Sequence, residues 1–464
     1  DLHSFPTRRS SDLYTDIFVS CEYGCNKGSG ELFKKLKEIT GSDDILHIGD
    51  SPDADIEGAK KEGIDTFRVF SPEALLRISS IAHIANHIGN KWDRLVLGHI
   101  LSDLSMFNSA FTLGKYRGKI FIDSVETMTE LCFVPITMLY ISWLVGKLKN
   151  KENSLVLFCS RDGYLLEKIY GNIRDSDPKL RLPGSKYFYT SRKAMSEIIA
   201  SDETGIRALC SNLDQYRKIG IVSHLEKMFG VSLSSDLKQY IGKCIGDVDP
   251  EKLVNDLMRA KEKIIHHADD RYMNYRRYVD TLSLDSYEEV YLVDLIAQGS
   301  SRYGLSRLCK REVKLLALGT TVLPNAFIRE ADLSDSLYGT MVTGVGSAVS
   351  TMFNLLELVY ASRDGQLSGF TKEGDPVFDD GTRYNGKLLD KAQERILSFI
   401  ENYADRKWYL REYDLRFSDA MLGILHPEYS DVSEDVGRLF DFNDPLRETL
   451  GKYNVLEDVR GDVI

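Results

Sequence analysis

ILHIGDSPDADIEGAKKEG, residues 45–63, reads as a strand, an acidic turn and a helix in succession. Ile45 to Ile48 is the short apolar run of a buried parallel strand, and Gly49 to Asp55 breaks it with a polar, proline-bearing loop. Ile56 to Glu62 then returns to helical periodicity, and Gly63 to Val69 supplies the next strand. On the other side, Ile17-Phe18-Val19 reads as a strand ending at Ser20. Gly24, Gly28 and Gly30 mark a loop that holds Lys27 ahead of a helix over Glu31 to Ile39. The βαβαβ order predicts a parallel sheet, with Ser20, Lys27 and Asp50 delivered to its carboxyl end.

A hydroxyl, an ammonium and acids at one sheet edge suit phosphoryl transfer, which needs in-line positioning and neutralisation of the moving charge. Ser20, Lys27 in CNKGSGELFKKL (25–36) and GDSPDADIEGAKKEG (49–63) together resemble the second, third and fourth motifs of the haloacid dehalogenase superfamily of Mg²⁺-dependent phosphohydrolases. The resemblance implies catalytic roles for Ser20, which would donate to a phosphate oxygen, and Lys27, which would pair with the phosphate. It implies Mg²⁺ held by Asp50 with Asp55 or Asp53 behind it, through hard oxygen ligands. The family's first motif, an Asp nucleophile followed by an Asp acid/base, has no counterpart in the chain. The expectation is therefore the C-terminal half of such a domain, residues 14–77, inactive by itself. Residues 1–13, DLHSFPTRRSSDL, resemble a translated sequencing adapter and are set apart from fold reasoning. The plainer role of Asp50, Asp53 and Asp55 is to cap the following helix, whose N-terminus favours carboxylates.

At 464 residues the chain suggests two or three domains at about 150 residues each. Its formal net charge of −11, with no run of Lys and Arg interleaved with aromatics, argues against a nucleic-acid partner. Seven cysteines are scattered singly, which fits a reducing cytoplasm better than a disulfide framework. Cys21 and Cys25 have no second Cys/His pair at ligand spacing and read as bystanders. The longest uncharged run, Leu131 to Gly146, is shorter than the ~20 residues that span a bilayer and carries Pro135, so it predicts a buried helix rather than a transmembrane segment.

Residues 78–150 read as a helical linker, following a helix over Pro72 to Ile84 with proline in its first turn. His83 and His87 stand one helical turn apart there without a third ligand, as a surface or interface pair. A second α/β domain is expected over 151–383. Leu155 to Cys159 forms a strand running into Ser160-Arg161-Asp162-Gly163 and a helix from Tyr164 to Tyr170. Tyr187 to Thr190 runs into Ser191-Arg192-Lys193, and Val290 to Val293 ends at Asp294 before Gln298-Gly299-Ser300. Val313 to Thr321 is a fourth strand, about 196–282 a charged helical insert with His266-His267 on a solvated face, and 384–464 a helical tail. Trp408, Tyr409 and Tyr413 in that tail have the spacing of packing residues.

Three strand ends thus carry Arg, Asp, Ser and Gly, a set that can converge on a phosphate or sugar ligand. Read plainly, the same residues form an ion-pair network with ordinary turn chemistry. The run ending at Trp143 and the segments 157–170, 187–194, 290–301 and LLELVYASRDGQLSGFTKEGDPVF (355–378) are similar to the C-terminal region of predicted haloacid-dehalogenase-type hydrolases in capsule and O-antigen gene clusters. That resemblance implies a cytoplasmic Rossmann-like phosphohydrolase in surface-polysaccharide synthesis, with a small phosphorylated metabolite or sugar nucleotide as ligand and polysaccharide-synthesis enzymes as partners. Val290 to Ser301 also resembles a phosphoribosyltransferase phosphate loop, with Leu295 where that family has a second acid. Two further expectations stand beside the hydrolase: a transferase-like or sugar-nucleotide-binding second domain, and a non-catalytic docking module.

Overall fold

The computed structural model describes residues 16–70, 74, 76–77, 81–107, 119–210, 221–236, 238, 250–321, 334–342, 344–379, 385–442 and 453–461. The chain divides into two compact units, Asp1–Ile78 and Ser79–Ile464, and is mixed α/β with mostly parallel sheets.

In the first unit β1 (Leu46–Gly49) pairs in parallel with β2 (Asp65–Arg68), Leu46 opposite Asp65 and Gly49 opposite Arg68. Helix α1 (Glu31–Thr40) closes at Gly41, whose left-handed backbone returns its N–H to Lys37. It buries Phe33 against Ala59 and Ile64. Three expectations need correction. Ile17–Val19 joins no ladder among the described residues, and Ser20 opens one helical turn, Ser20–Tyr23, instead of ending a strand. A three-residue run without a paired neighbour has no ladder hydrogen bonds to hold it as a strand. β1 is not buried on both faces: His47 packs edge-on to Phe33 at 4.7 Å, while Leu46 and Ile48 are 60% and 59% exposed. The helix expected over 56–62 begins earlier, as a wide π-helical turn over Pro52–Glu57 that continues into the α-helical turn Gly58–Lys61. The Ser51 carbonyl accepts from the amides of both Asp55 and Ile56, which widens that turn.

The second unit is built on strands β3 (Ile120–Ile122), β4 (Leu155–Cys159), β5 (Gly184–Phe188), β6 (Val290–Ala297), β7 (Lys314–Thr321), β8 (Ser334–Ser336), β9 (Thr340–Met341), β10 (Leu367–Phe370), β11 (Pro376–Phe378) and β12 (Ser430–Val432). The main sheet runs β5-β4-β6-β7-β8, with β9 also on β7, and every pairing is parallel. The chain moves outward one way from β4 to β5 and the other way from β6 to β8, so the order reverses between β4 and β6. Helices cover both faces: α2 (Val125–Leu148), α3 (Tyr164–Ser176), α4 (Arg192–Ile199), α5 (Lys261–Thr281), α6 (Ser300–Cys309) and α7 (Ala348–Tyr360). Leu155, Leu157 and Cys159 pack with residues of α4, α5 and α6, whereas Phe158 meets Tyr170 of α3 at 5.5 Å. This side-to-side alternation along a strand with no polar face is the signature of a sheet covered twice.

Residues 79–150 belong to this second unit. By length and composition α2 passes for a membrane span, but 83% of its most apolar window is buried in the protein. It packs as the interior helix its sequence predicts, and Tyr140 donates to the carbonyls of Asp294 and Leu316 at 2.8 and 3.1 Å. The stretch 78–150 is not purely helical, because β3 pairs with β12 of the C-terminal region. For the same reason the tail is not purely helical. Partners more than 300 residues apart leave no local signature. Within the tail Trp408 and Tyr409 are buried, and Tyr413 donates to the Trp408 carbonyl at 3.1 Å, a packing role. The insert packs its own core, with Ile206, Leu225, Phe229, Leu257 and Ile264. Of the helix expected from Pro72, only Ala74, Leu76 and Arg77 before Ile81 lie among the described residues. His83 stacks on Tyr429 at 4.3 Å, and burial, then His87, push its imidazole below the usual range. His266 is exposed, but His267 turns toward buried Glu197 at 3.9 Å.

Candidate functional sites at the carboxyl ends of the parallel strands

In the first unit the side chains meet on Asp55, which is 4% exposed. Lys27 Nζ lies 2.7 Å from Asp55 Oδ1, His47 Nε2 3.0 Å from the same oxygen, and the Ser51 amide donates to Oδ2 at 3.0 Å. Burial pushes this carboxyl up, but Lys27, His47 and the Ser51 amide outweigh it and hold it well below the usual range. Two glycines make the approach possible. A Cβ on Gly49 would lie 2.4 Å from the Asp55 side chain, and one on Gly58 would lie 2.1 Å from the Lys27 carbonyl. Asp50 and Asp53 are exposed just beyond β1, and Ser20 is exposed in its helical turn. Asp50 suits a hard cation. Asp55 already accepts from Lys27 and the Ser51 amide and lies within hydrogen-bond distance of His47. Among the described residues no group of three or more His, Cys, Asp or Glu side chains is placed to hold a metal ion.

In the second unit three strand ends converge, but not every predicted residue faces the same task. The Ser160 hydroxyl donates to the Thr190 carbonyl at 2.6 Å and accepts from the Thr190 amide at 2.9 Å, tying the end of β4 to that of β5. Ser191 caps α4 through the Ala194 amide and donates to Leu367 O at 2.7 Å. These two serines serve the turns. Gly163 is required sterically, since a Cβ there would lie 2.4 Å from Cys159 O where α3 meets β4. Gly299, at φ 83°, leads into α6 with no side-chain cap, and Ser300 is the first residue of that helix after Gln298. Arg192 is exposed at the start of α4.

The charged centre is Asp162, Asp294 and Glu357. Each retains partial access to solvent although the surrounding protein desolvates the first two strongly. Burial raises Asp162 well above the carboxylate range, Glu357 and Asp294 add to that, and Arg161 opposes it. Burial and then Glu357 push Asp294 up to about 6, against the Leu295 amide, which donates at 2.9 Å, and Arg192. Asp162 follows the end of β4 and Asp294 lies on the adjacent strand β6, so these carboxylates stand where the strand order reverses. Sequence reasoning missed Glu357. Its signal was present: Glu357 is the only charged residue in AVSTMFNLLELVY, the whole of α7. Tyr187 and Ser362 were missed as well. A separate cavity of about 140 Å³ lies beside the Ser283–Ser286 turn that precedes β6, at the amino end of the sheet, with Arg276, Asp280 and Cys309 in its wall. The six described cysteines are free thiols.

No family model matches the chain, and no curated protein matches it.

Proposed function

We propose that the second unit binds a phosphate-bearing sugar or sugar nucleotide in the crevice between the ends of β4 and β6, in the service of surface-polysaccharide synthesis. The observation that supports this most is that Asp162, Asp294 and Glu357, with Arg161 beside them, gather where the strand order reverses. Parallel sheets form their ligand crevice at that point because the helices on either side leave it in opposite directions. An arginine presents a planar fork that matches phosphate oxygens, and the glycine-led start of α6 offers backbone amides to an anion. Carboxylates complement this by accepting from sugar hydroxyls. Thermal-shift measurements with sugar nucleotides, phosphosugars, phosphoribosyl pyrophosphate and pyrophosphate test the reading. A shift that Arg161→Ala abolishes is expected. No shift with any of them would leave a docking module, and a shift with phosphoribosyl pyrophosphate alone would favour the phosphoribosyltransferase-like alternative.

The Lys27–Asp55 pair favours a second, compatible reading for the first unit: part of a Mg²⁺-dependent phosphohydrolase domain acting on a small phosphorylated metabolite. Asp55 holds the Lys27 ammonium beside the end of β1, where it would meet a phosphate. Asp50 would hold the magnesium and Ser20 would donate to a phosphate oxygen. An aryl-phosphatase assay with Mg²⁺, on a chain carrying an Asp-x-Asp strand ahead of Ile17, checks this. Turnover should fall at least a hundredfold in Asp50→Asn or Lys27→Met, on the order expected for lost charge stabilisation; equal turnover would end the idea.

A further inference from the structure

We infer that Tyr187 and Ser362 are positioning residues that aim Arg161 at the phosphate of the crevice ligand; this rests on the reading of the second unit given above. Arg161 stands at φ 72°, in the left-handed region that residues with a Cβ seldom occupy. Its backbone is held on both sides. The Arg161 amide donates to the Tyr187 phenol oxygen at 2.6 Å, and the Arg161 carbonyl accepts from the Ser362 amide at 3.0 Å. Tyr187 closes the ring by donating to the Ser362 hydroxyl at 2.9 Å. The three residues come from the ends of β4, β5 and α7, so the conformation of Arg161 is fixed by Tyr187, 26 residues along the chain, and by Ser362, a further 175 residues on.

Ser362 opens a second Ser-Arg-Asp-Gly sequence, 362–365, identical to 160–163. The two copies do different work. Arg363 of the second copy points away to an exposed pair with Asp390, whereas Arg161 lies close enough to Asp162 to oppose the rise in its proton affinity. A glycine would adopt the 161 conformation without strain. An arginine there, its backbone held by the Tyr187 phenol and the Ser362 amide, has its direction set before a ligand arrives, which lowers the ordering cost of binding.

Pyrophosphate titration of the full-length protein by calorimetry tests the inference. Tyr187→Phe should weaken binding about tenfold and Ser362→Ala less, as for single lost hydrogen bonds that orient a charged group. Because Tyr187 acts through Arg161, Tyr187→Phe combined with Arg161→Ala should bind no more weakly than Arg161→Ala alone. Arg161→Gly, which relaxes the backbone, should melt no lower than wild type yet bind as poorly as Arg161→Ala. Wild-type affinity in both Tyr187→Phe and Ser362→Ala, or additive losses in the double variant, would overturn the positioning role while the crevice reading stands. No binding by the wild-type protein, or undiminished binding by Arg161→Gly, would overturn both.

Discussion

Asp294, within β6, and Asp55, in the turn after β1, are in opposite electrostatic circumstances, and their pH behaviour differs in sign. Asp294 takes up its proton near pH 6, above the unfolded value of 3.8, because burial and Glu357 penalise its charge. Its charged form therefore costs stability, absent at low pH and growing as pH rises from the unfolded to the folded value. Asp294→Asn should raise the melting temperature at pH 7.5 by on the order of 2 °C, lose that advantage at pH 4, and weaken ligand binding, the trade-off expected of a functional site. Scanning fluorimetry at the two pH values decides it, and a lowered melting temperature at pH 7.5 would count against the account. Asp55 is the reverse case. Its folded value is depressed, so the stability contributed by Lys27 and His47 is full above the unfolded 3.8 and fades as pH falls below it. Asp55→Asn should loosen the first unit at pH 7, seen in the His47 imidazole resonances, and the difference from wild type should shrink below pH 4. Arg161 and Asp162 were legible as a charged strand end, whereas Asp294, expected where its strand stops, lies inside β6, which runs on to Ala297, and Ser160 and Ser191 looked equivalent to all three. Only their bonds to Thr190, Ala194 and Leu367 separate turn chemistry from ligand chemistry.

At the level of elements, continuous apolar runs were readable wherever a strand is covered on both faces. Leu155–Cys159 is buried throughout, and its glycine-bearing exit to α3 follows from a contact that no side chain could share. Gly163→Ala should destabilise the second unit by about 1–3 kcal/mol, since the obstruction is backbone and cannot rotate away. Urea unfolding measures this, and a neutral result would contradict the packing of α3 on β4. Ile17–Val19 shows the limit of the same signal. Its residues are as apolar as those of β4, but whether a short run becomes a strand depends on a neighbour that local pattern does not disclose. β3 with β12, and Tyr187 with Ser362, are hidden for the same reason.

For the whole molecule, the division at Ile78 and Ser79 puts the interior helix α2, the main sheet and the C-terminal helices in one compact unit. A fragment of residues 79–464 should accordingly melt cooperatively and keep the ligand affinity of the full chain, whereas a molten fragment would show that the second unit depends on the first. The overall α/β character was readable from strand and helix alternation. The 2-1-3-4-5 strand order was not, because sequence lists strands without saying which are neighbours, and that order is what sets β4 beside β6. Amide hydrogen exchange across the intact chain, with and without a saturating uridine-diphosphate sugar, shows whether the ends of β4 and β6 hold the ligand. Exchange should slow only at 160–164, 294–302 and the end of α7 with Ser362. Slowed exchange around the Ser283–Ser286 turn instead, or none anywhere, would contradict ligand binding at those strand ends.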